Sequence, residues 1–172
     1  MSDSYRTLLL LRHGKSDYPP EVDDHQRPLA PRGVREAALA GDWLRAHPPG
    51  IDAVLCSTAV RTRQTLQRTG IEAPVEYVDR LYDATPGTVI DEINRASSHF
   101  PFEAWTLLVV GHEPAMSSVA LGLANADGSN SAAAEHISTK FPTSAIAVLR
   151  TEQPWPELAL SGAHLVAFHV AR

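Results

Sequence analysis

The chain has 172 residues, of which 44% are hydrophobic and 20% are charged, a size and composition typical of one globular domain. Its 15 basic and 20 acidic residues give a formal net charge of -5 and are spread along the chain, which argues against nucleic-acid binding. The single cysteine, Cys56, excludes an internal disulfide and a cysteine-based zinc site. With neither a signal-peptide core nor a membrane-length apolar run, the sequence predicts a cytoplasmic protein that does not bind membranes.

Strand and helix patterns alternate along the chain. Short apolar runs predict buried strands at residues 7–12, 53–56, 75–78, 105–111, 144–150 and 164–170. Apolar spacing and terminating residues predict helices at residues 32–47, 58–69, 86–98 and 114–123. Ser57 or Thr58 is expected to cap the second helix, and residues 125–131 are expected to form a loop. This order predicts an α/β fold: a single three-layer domain over residues 1–172, with a mostly parallel central sheet flanked by helices and an antiparallel last pair of strands.

Several buried or structural side chains are also predicted. Cys56 lies within a strand and is interpreted as a buried structural thiol. Trp43 and Trp105 are expected in the core, and Trp155 is a candidate loop anchor. Six histidines are interpreted as structural residues, namely His25, His47, His99, His136, His164 and His169.

Unusual side chains follow three of the predicted strands: Arg12-His13-Gly14 after the first, Ser57 with Arg61 after the second, and Gly111-His112 after the fourth. Ligands of open α/β sheets bind beyond the carboxyl ends of the strands, so these side chains are expected to share one site. Arginine guanidinium groups and helix N-termini are suited to a phosphate. A neutral histidine in such a pocket can attack phosphorus and form a phosphohistidine intermediate.

Three other kinds of site are not supported by the sequence. Gly14-Lys15-Ser16 resembles the end of a phosphate-binding P-loop, but Leu9 stands where that loop requires a glycine. His112-Glu113 resembles the start of a zinc-protease motif, but Met116 stands where the second histidine belongs. The Gly-x-Ser-x-Gly motif of serine hydrolases does not occur. We therefore predict no cofactor and no metal.

Together these motifs resemble the histidine phosphatase superfamily, which has a phosphoglycerate-mutase-like fold. The matching residues are Arg12-His13-Gly14, Ser57 with Arg61 and Gln64-Thr65, and Gly111-His112. Within the superfamily, the chain is most similar to the short SixA-type phosphohistidine phosphatases. That similarity extends to Arg27-Pro28-Leu29 with Gly33, to His112 with Pro114, and to residues 141–147.

The resemblance implies that His13 is the nucleophile and that Arg12, Arg61 and His112 form the phosphate pocket. Because cations surround His13, we expect its pKa to be lowered and the ring to stay neutral. Arg63 is two residues from Arg61 on the predicted helix and is expected to face elsewhere.

Further substrate contacts and the general acid are less closely specified by the motifs. Arg27 and Ser16 are expected to contact substrate, and Lys15 lies beside them. Asp83 is the expected general acid, because it lies in the segment where relatives place a carboxylate. Glu113 and a water molecule are the alternatives.

The resulting hypothesis is a metal-independent phosphatase of the phosphoric monoester hydrolase class that releases inorganic phosphate. Its expected substrate is phosphohistidine on a protein partner of the histidine-phosphotransfer or phosphocarrier type. One alternative is a phosphatase of small phosphorylated metabolites, such as sugar or nucleotide phosphates. Another is a non-catalytic phosphate-binding or scaffolding domain.

Overall fold

The run of leucines at the start of the chain forms the centre of a six-stranded sheet. The computed structural model describes residues 5–47 and 49–172. Its strands are β1 (Arg6–Arg12), β2 (Ala53–Ser57), β3 (Val75–Val78), β4 (Thr106–Gly111), β5 (Ile146–Thr151) and β6 (His164–His169). They lie in the order β3-β2-β4-β1-β5-β6, so the predicted central position of the first strand is confirmed.

The sheet is parallel over β3, β2, β4 and β1, whereas β5 runs antiparallel to both β1 and β6. The prediction of a mostly parallel sheet with an antiparallel last pair is therefore confirmed. Because β1, β2 and β4 run in the same direction, their carboxyl ends meet at one edge of the sheet. The polar residues that follow these strands are thereby brought together.

Helices cover both faces of the sheet. They are α1 (Pro31–Ala46), α2 (Val60–Thr69), α3 (Pro86–Asn94), α4 (Ala96–His99), α5 (Ala115–Leu123) and α6 (Ser131–Thr139). Side chains of β1 alternate between the faces: Leu9 and Leu11 join the cluster with α1 and α2, and Leu8 and Leu10 join the cluster with α3, α5 and α6. The expected three-layer domain results. Among the described residues, no helix has the length and apolar character needed to cross a membrane.

Some predicted boundaries were wrong. The helix predicted at 86–98 is divided at Arg95, whose backbone (φ -93°, ψ 13°) lies outside the helical region. Neither Ser57 nor Thr58 is the cap of α2: Ala59 holds that position, and Ser57 is the last residue of β2. The helix after β4 begins at Ala115, one residue after the predicted start.

The sequence prediction missed α6, which begins at the end of the expected loop. Only Ala133 and Ile137 of this helix are buried, so its apolar stripe is too short to stand out as a periodic pattern. Asn130 caps the helix, because its side-chain oxygen accepts a hydrogen bond from the Ala133 amide at 3.0 Å.

The tryptophans differ from expectation in one case. Trp105 is 44% exposed rather than a core residue, and the guanidinium of Arg6 lies 4.3 Å from its ring centroid. Trp155 is buried and donates a hydrogen bond to the Ala104 carbonyl at 2.6 Å, which suits the predicted anchor. Cys56 is fully buried, and burial raises the pKa of its thiol to about 12, as expected of a structural cysteine.

Candidate active site

A pocket of about 220 Å³ lies at the carboxyl edge of the sheet. It is lined by Arg12, His13, Lys15, Ser16, Tyr18, Arg27, Arg61, His112, Glu113 and Thr143. Residues that follow three different strands therefore converge, as the sequence motifs predict. A larger depression of about 810 Å³ lies among Leu44, Ile51 and Ile71 at the other edge of the sheet, but no histidine lines it.

His13 follows β1 and is 7% exposed. Its Nδ1 lies 2.7 Å from the Gly14 carbonyl oxygen, so Nδ1–H donates this bond and Nε2 is the unprotonated nitrogen. Burial is the main reason that the pKa of His13 is lowered to about 3, and nearby His112, Arg61 and Arg12 act in the same direction. The sequence predicted the lowered pKa but attributed it to the arginines alone. His13 is consequently a neutral imidazole at physiological pH, with Nε2 available as a nucleophile.

Two glycines allow the turn after His13 to pack against α1. A Cβ atom on Gly14 would lie 3.0 Å from the Gly33 carbonyl oxygen, and one on Gly33 would lie 2.1 Å from the Lys15 carbonyl oxygen. The Gly14 amide also donates to Thr65 Oγ1 at 2.8 Å. The chain on both sides of the turn is therefore fixed, and side chains larger than hydrogen would push His13 out of position.

His112 approaches His13 from the end of β4, with 5.3 Å between the two ring centroids. Its Nε2 lies 2.8 Å from Ser57 Oγ, which also accepts a bond from the Ala59 amide. The Ser57 hydroxyl proton can therefore be donated to Nε2, which leaves the ring proton on Nδ1. Nδ1 is buried and has no hydrogen-bond partner among the described residues, and burial, followed by Arg61, lowers the pKa of His112 to about 4.

Two arginines complete the inner wall of the pocket. Arg12 donates from Nη1 to the Phe141 carbonyl at 2.8 Å, and Arg61 lies buried in the first turn of α2. The Nε atoms of both arginines are buried without a hydrogen-bond partner among the described residues. Since buried donors are normally paired, these two N–H groups and Nδ1 of His112 form a set of donors suited to anion oxygens.

The outer wall is formed by residues of the loop between β1 and α1. Arg27 donates from Nη1 to Ser16 Oγ at 2.6 Å, and its guanidinium lies 4.0 Å from the ring centroid of Tyr18. Lys15 is exposed beside them, and all four residues line the pocket. The predicted auxiliary residues Arg27 and Ser16 are thus brought to the site.

The two candidate carboxylates occupy different environments. Glu113 lines the pocket and accepts a hydrogen bond from the Ser117 amide at 2.7 Å through Oε1. Asp83 is exposed, lies outside the pocket lining, and has a left-handed backbone (φ 55°). The side chain before it is the one directed to the site: the Tyr82 ring is 5.6 Å from the His112 ring, measured between centroids.

Four residues near the site were missed by sequence reasoning. Tyr18 and Thr143 line the pocket, and Thr143 lies within the segment 141–147 that already carried the family resemblance. Tyr82 and Asp24 are held together by a hydrogen bond of 2.5 Å from the Tyr82 hydroxyl to Asp24 Oδ2. No local pattern identifies this pair, because each residue lies in an irregular segment.

The remaining candidates lie outside the pocket lining. Arg63 packs its guanidinium 4.6 Å from the Tyr77 ring centroid and, as predicted, faces away from the pocket. His25 contacts Thr58 Oγ1 at 3.0 Å and the edge of the Tyr82 ring, a structural role next to the site. Within residues 5–47 and 49–172, no group of three or more His, Cys, Asp or Glu side chains is arranged to hold a metal ion.

Comparisons with known proteins agree with this geometry. A sequence model of the histidine phosphatase superfamily (branch 1) matches residues 8–106. An uncharacterized protein of Mycobacterium tuberculosis is 59% identical over 162 residues, which cover 94% of this chain and 100% of that protein.

Two solved structures are similar over nearly the whole chain. A candidate SixA phosphohistidine phosphatase from Nakamurella multipartitia is 41% identical with a TM-score of 0.86, over 98% of each chain. A second candidate SixA, from Agrobacterium tumefaciens, is 28% identical with a TM-score of 0.74, over 96% of this chain and 98% of that one. The phosphoglycerate-mutase-like fold expected from the motifs is thereby confirmed.

Proposed function

The chain belongs to branch 1 of the histidine phosphatase superfamily, and we propose that it is a phosphatase that removes phosphate from phosphohistidine on a protein. One observation carries the proposal: the unprotonated Nε2 of His13 belongs to a pocket that is also lined by Arg12, Arg61 and His112. A nucleophile among unpaired N–H donors is what phosphoryl transfer through an enzyme intermediate requires.

In the first step, Nε2 of His13 attacks phosphorus and the bond from phosphorus to the leaving nitrogen breaks. The electron pair of that bond stays on the leaving imidazole, which takes up a proton. Arg12, Arg61 and the Nδ1–H of His112 bind the phosphoryl oxygens and stabilise their negative charge.

In the second step, water attacks the phosphorus of phosphorylated His13. The N–P bond breaks, its electron pair returns to Nε2, and inorganic phosphate leaves after the attacking water has lost a proton. The low pKa of His13 (about 3) favours this return, because the neutral ring is the stable form in the folded protein.

Glu113 is the proposed proton donor of the first step and acceptor of the second. It is the one carboxylate among the lining residues, and its Oε1 is oriented by the Ser117 amide. Asp83, the donor expected from the sequence, is exposed outside the lining, so we give it no catalytic role.

The exposed residues at the mouth of the pocket favour a protein as the substrate. Tyr18 is 74% exposed, and Lys15 beside it is exposed as well, so both can contact a macromolecule that presents a phosphorylated side chain. The similarity to candidate SixA structures at 41% and 28% identity points to the same substrate class.

We also propose that the reaction needs no metal and occurs in the cytoplasm. His13 supplies the nucleophile and the arginines supply positive charge, so turnover should continue when a chelator is present. The buried, unreactive thiol of Cys56 suits a reducing compartment, and cell fractionation of the native host tests the location.

The decisive experiment measures phosphate release from a phosphohistidine-bearing phosphocarrier protein and from a small aryl phosphate, both with chelator. The key variant is His13→Asn, because the asparagine amide can still donate to the Gly14 carbonyl while Nε2 is removed. We expect release from the protein substrate to fall at least about 10⁴-fold. His136→Asn, at an exposed position on α6, is the matched control and should retain full activity.

Each other result would change the proposal. Turnover that survives His13→Asn would refute the nucleophile. Activity on the aryl phosphate alone would keep the mechanism and replace the protein substrate with a small phosphorylated metabolite. Phosphate binding without release from either substrate would identify a non-catalytic binding domain.

The proton donor is tested with leaving groups of different basicity. Glu113→Gln should slow hydrolysis of an alkyl phosphate by about 10²-fold and have little effect on an activated aryl phosphate, whose leaving group needs no proton. Asp83→Asn is the matched control. A loss with Asp83→Asn, or an equal loss of both esters with Glu113→Gln, would contradict the assignment.

A further inference from the structure

Asp24 connects several side chains at the pocket although it lies outside the pocket lining. It belongs to the short turn Asp24–Gln26 in the loop between β1 and α1. Its Oδ2 accepts hydrogen bonds from Arg61 Nη2 at 3.0 Å and from the Tyr82 hydroxyl at 2.5 Å. Its Oδ1 accepts from Arg27 Nε at 3.0 Å. One carboxylate therefore contacts two of the arginines that line the pocket.

The contacts of Arg61 are confined to one edge of its guanidinium. Nη2 donates to Asp24 Oδ2, and Nη1 donates to the Asp24 carbonyl oxygen at 2.7 Å. The edge formed by Nη1 and Nη2 is thus held by Asp24, whereas Nε on the neighbouring edge is buried without a partner among the described residues. Asp24 consequently fixes the plane of the guanidinium and leaves its Nε–H for another acceptor.

Arg27 is held in a comparable way from two directions. Its Nε donates to Asp24, and its Nη1 donates to Ser16 Oγ at 2.6 Å and to the Asp17 carbonyl at 3.2 Å. An arginine side chain has many rotamers, and fixing it before the substrate arrives lowers the entropy lost on binding. Through Asp24, the loop is also joined to Arg61 of α2 and to Tyr82 in the segment after β3.

We propose that Asp24 is a positioning residue, which holds Arg61 and Arg27 in the orientation that binds the phosphoryl group. This inference rests on the function proposed above. The opposite role would be a latch, in which the carboxylate competes with phosphate for Arg61. The geometry favours positioning, because Asp24 occupies the Nη1–Nη2 edge and leaves Nε unpaired.

The carboxylate of Asp24 stays ionised over the whole pH range in which the protein would be assayed. The hydrogen bond from Tyr82, together with those from Arg27 and Arg61, holds the pKa of this carboxyl well below its usual range. Its own side chain is 53% exposed, whereas that of its partner Arg61 is buried; an asparagine oxygen at this position can still accept the hydrogen bonds from Arg61, so Asp24→Asn should cost little folding stability. Loss of Asp24 should therefore change phosphate binding and turnover far more than the melting temperature.

The test compares Asp24→Asn with Asp23→Asn, a neighbouring exposed aspartate whose side chain makes no capping hydrogen bond. Affinity for inorganic phosphate is measured by calorimetry, and kcat and KM are measured with the aryl phosphate. For Asp24→Asn we expect about 10-fold weaker phosphate binding and a 10- to 100-fold lower kcat/KM. Asp23→Asn should match the wild type in both measurements, and all three melting temperatures should agree within about 2 °C.

Coupling to Arg61 separates positioning from a general structural effect. In an Arg61→Lys background, which lacks the fixed planar group, Asp24→Asn should weaken phosphate binding by less than about 3-fold. Tyr82→Phe removes one hydrogen bond to Asp24 but no charge, and should weaken binding about 2- to 3-fold. This variant keeps the proposal testable if Asp24→Asn does not fold.

Three results would overturn the proposal. Tighter phosphate binding by Asp24→Asn would identify a latch, and unchanged binding would show that Asp24 does not act on the pocket. An undiminished effect in the Arg61→Lys background would mean that Asp24 does not act through Arg61. Because phosphate affinity does not depend on turnover, these results remain interpretable even if the wild type hydrolyses neither substrate and the proposed function fails.

Discussion

Two histidine pairs of this protein have different surroundings and, we argue, different roles. His13 and His112 meet at the carboxyl ends of β1 and β4, where each ring has one nitrogen held by an oxygen, the Gly14 carbonyl and Ser57 Oγ respectively. His47 and His169 flank the indole of Trp43, at centroid distances of 4.1 Å and 4.6 Å with nearly parallel rings, and Nδ1 of His47 donates to the Trp43 carbonyl at 2.7 Å.

The comparison indicates that the surroundings, and not the residue type, distinguish the histidines proposed to be catalytic. At the pocket, burial is the main cause that lowers the pKa of His13 to about 3 and of His112 to about 4, and Nδ1 of His112 has no hydrogen-bond partner among the described residues. Around Trp43, both rings stack against the indole. His169 also ends a strand, β6, so the surroundings in the folded protein, and not the preceding strand alone, distinguish the two pairs.

The largest expected effect is on turnover when a pocket histidine is changed. His112→Gln keeps a polar group within reach of Ser57 but removes the Nδ1 donor, so kcat/KM should fall about 10²- to 10³-fold. His169→Gln is the matched change in the other pair and should alter kcat/KM by less than 2-fold. Equal effects of the two variants would show that the two pairs do not differ in function.

The next effect is on stability in acid. The unfolded chain binds a proton at His13 near pH 6.5, whereas the folded chain does so only at about pH 3. Since the unfolded state binds more protons between these values, the free energy of unfolding falls as the pH falls below about 6.5, and the full stability is present above it. For His13 the loss is about 2 kcal/mol at pH 5.

Denaturant unfolding at several pH values measures this contribution. His13→Asn removes the titrating group. The free energy of unfolding of the variant, relative to that of the wild type, should therefore rise by about 2 kcal/mol when the pH is lowered from 8 to 5. Parallel dependences of the unfolding free energy on pH in the two proteins would contradict the lowered pKa of His13.

The same pKa predicts how activity depends on pH. In the wild type, turnover should persist below pH 7, because His13 remains neutral there. A sharp loss of substrate binding as the pH falls through 7 would contradict a neutral His13.

The sequence was informative where short motifs coincide with strand ends. Arg12-His13 and Gly111-His112 could be located because each follows a continuous apolar run, and parallel strands bring such ends together. The contacts of Asp24 could not be predicted in this way. Its partners Arg61 and Tyr82 are 37 and 58 residues away, and the contacts depend on how an irregular loop folds across α2.

The direction of the side chains around the predicted proton donor, Asp83, could not be read from the sequence for a related physical reason. Asp83 and Tyr82 are adjacent, and in an irregular segment no periodicity states which of the two side chains is directed to the pocket. The left-handed backbone of Asp83 (φ 55°) belongs to the turn that presents Tyr82 to Asp24 and His112. A motif can locate a segment at a site, but the direction of each side chain follows from local dihedral angles.

The smallest expected effect concerns the stacked pair. Burial, and then His47, lowers the pKa of His169, so the ring is neutral at pH 8 and its contact with Trp43 is an aromatic stack. His169→Ala should reduce the free energy of unfolding by about 0.5–1.5 kcal/mol at pH 8 and leave kcat/KM unchanged. Denaturant unfolding of this variant beside the wild type measures the difference. A fall in kcat/KM comparable with that of His112→Gln would mean that the stack supports the pocket through the sheet, and the functional separation of the two pairs would no longer hold.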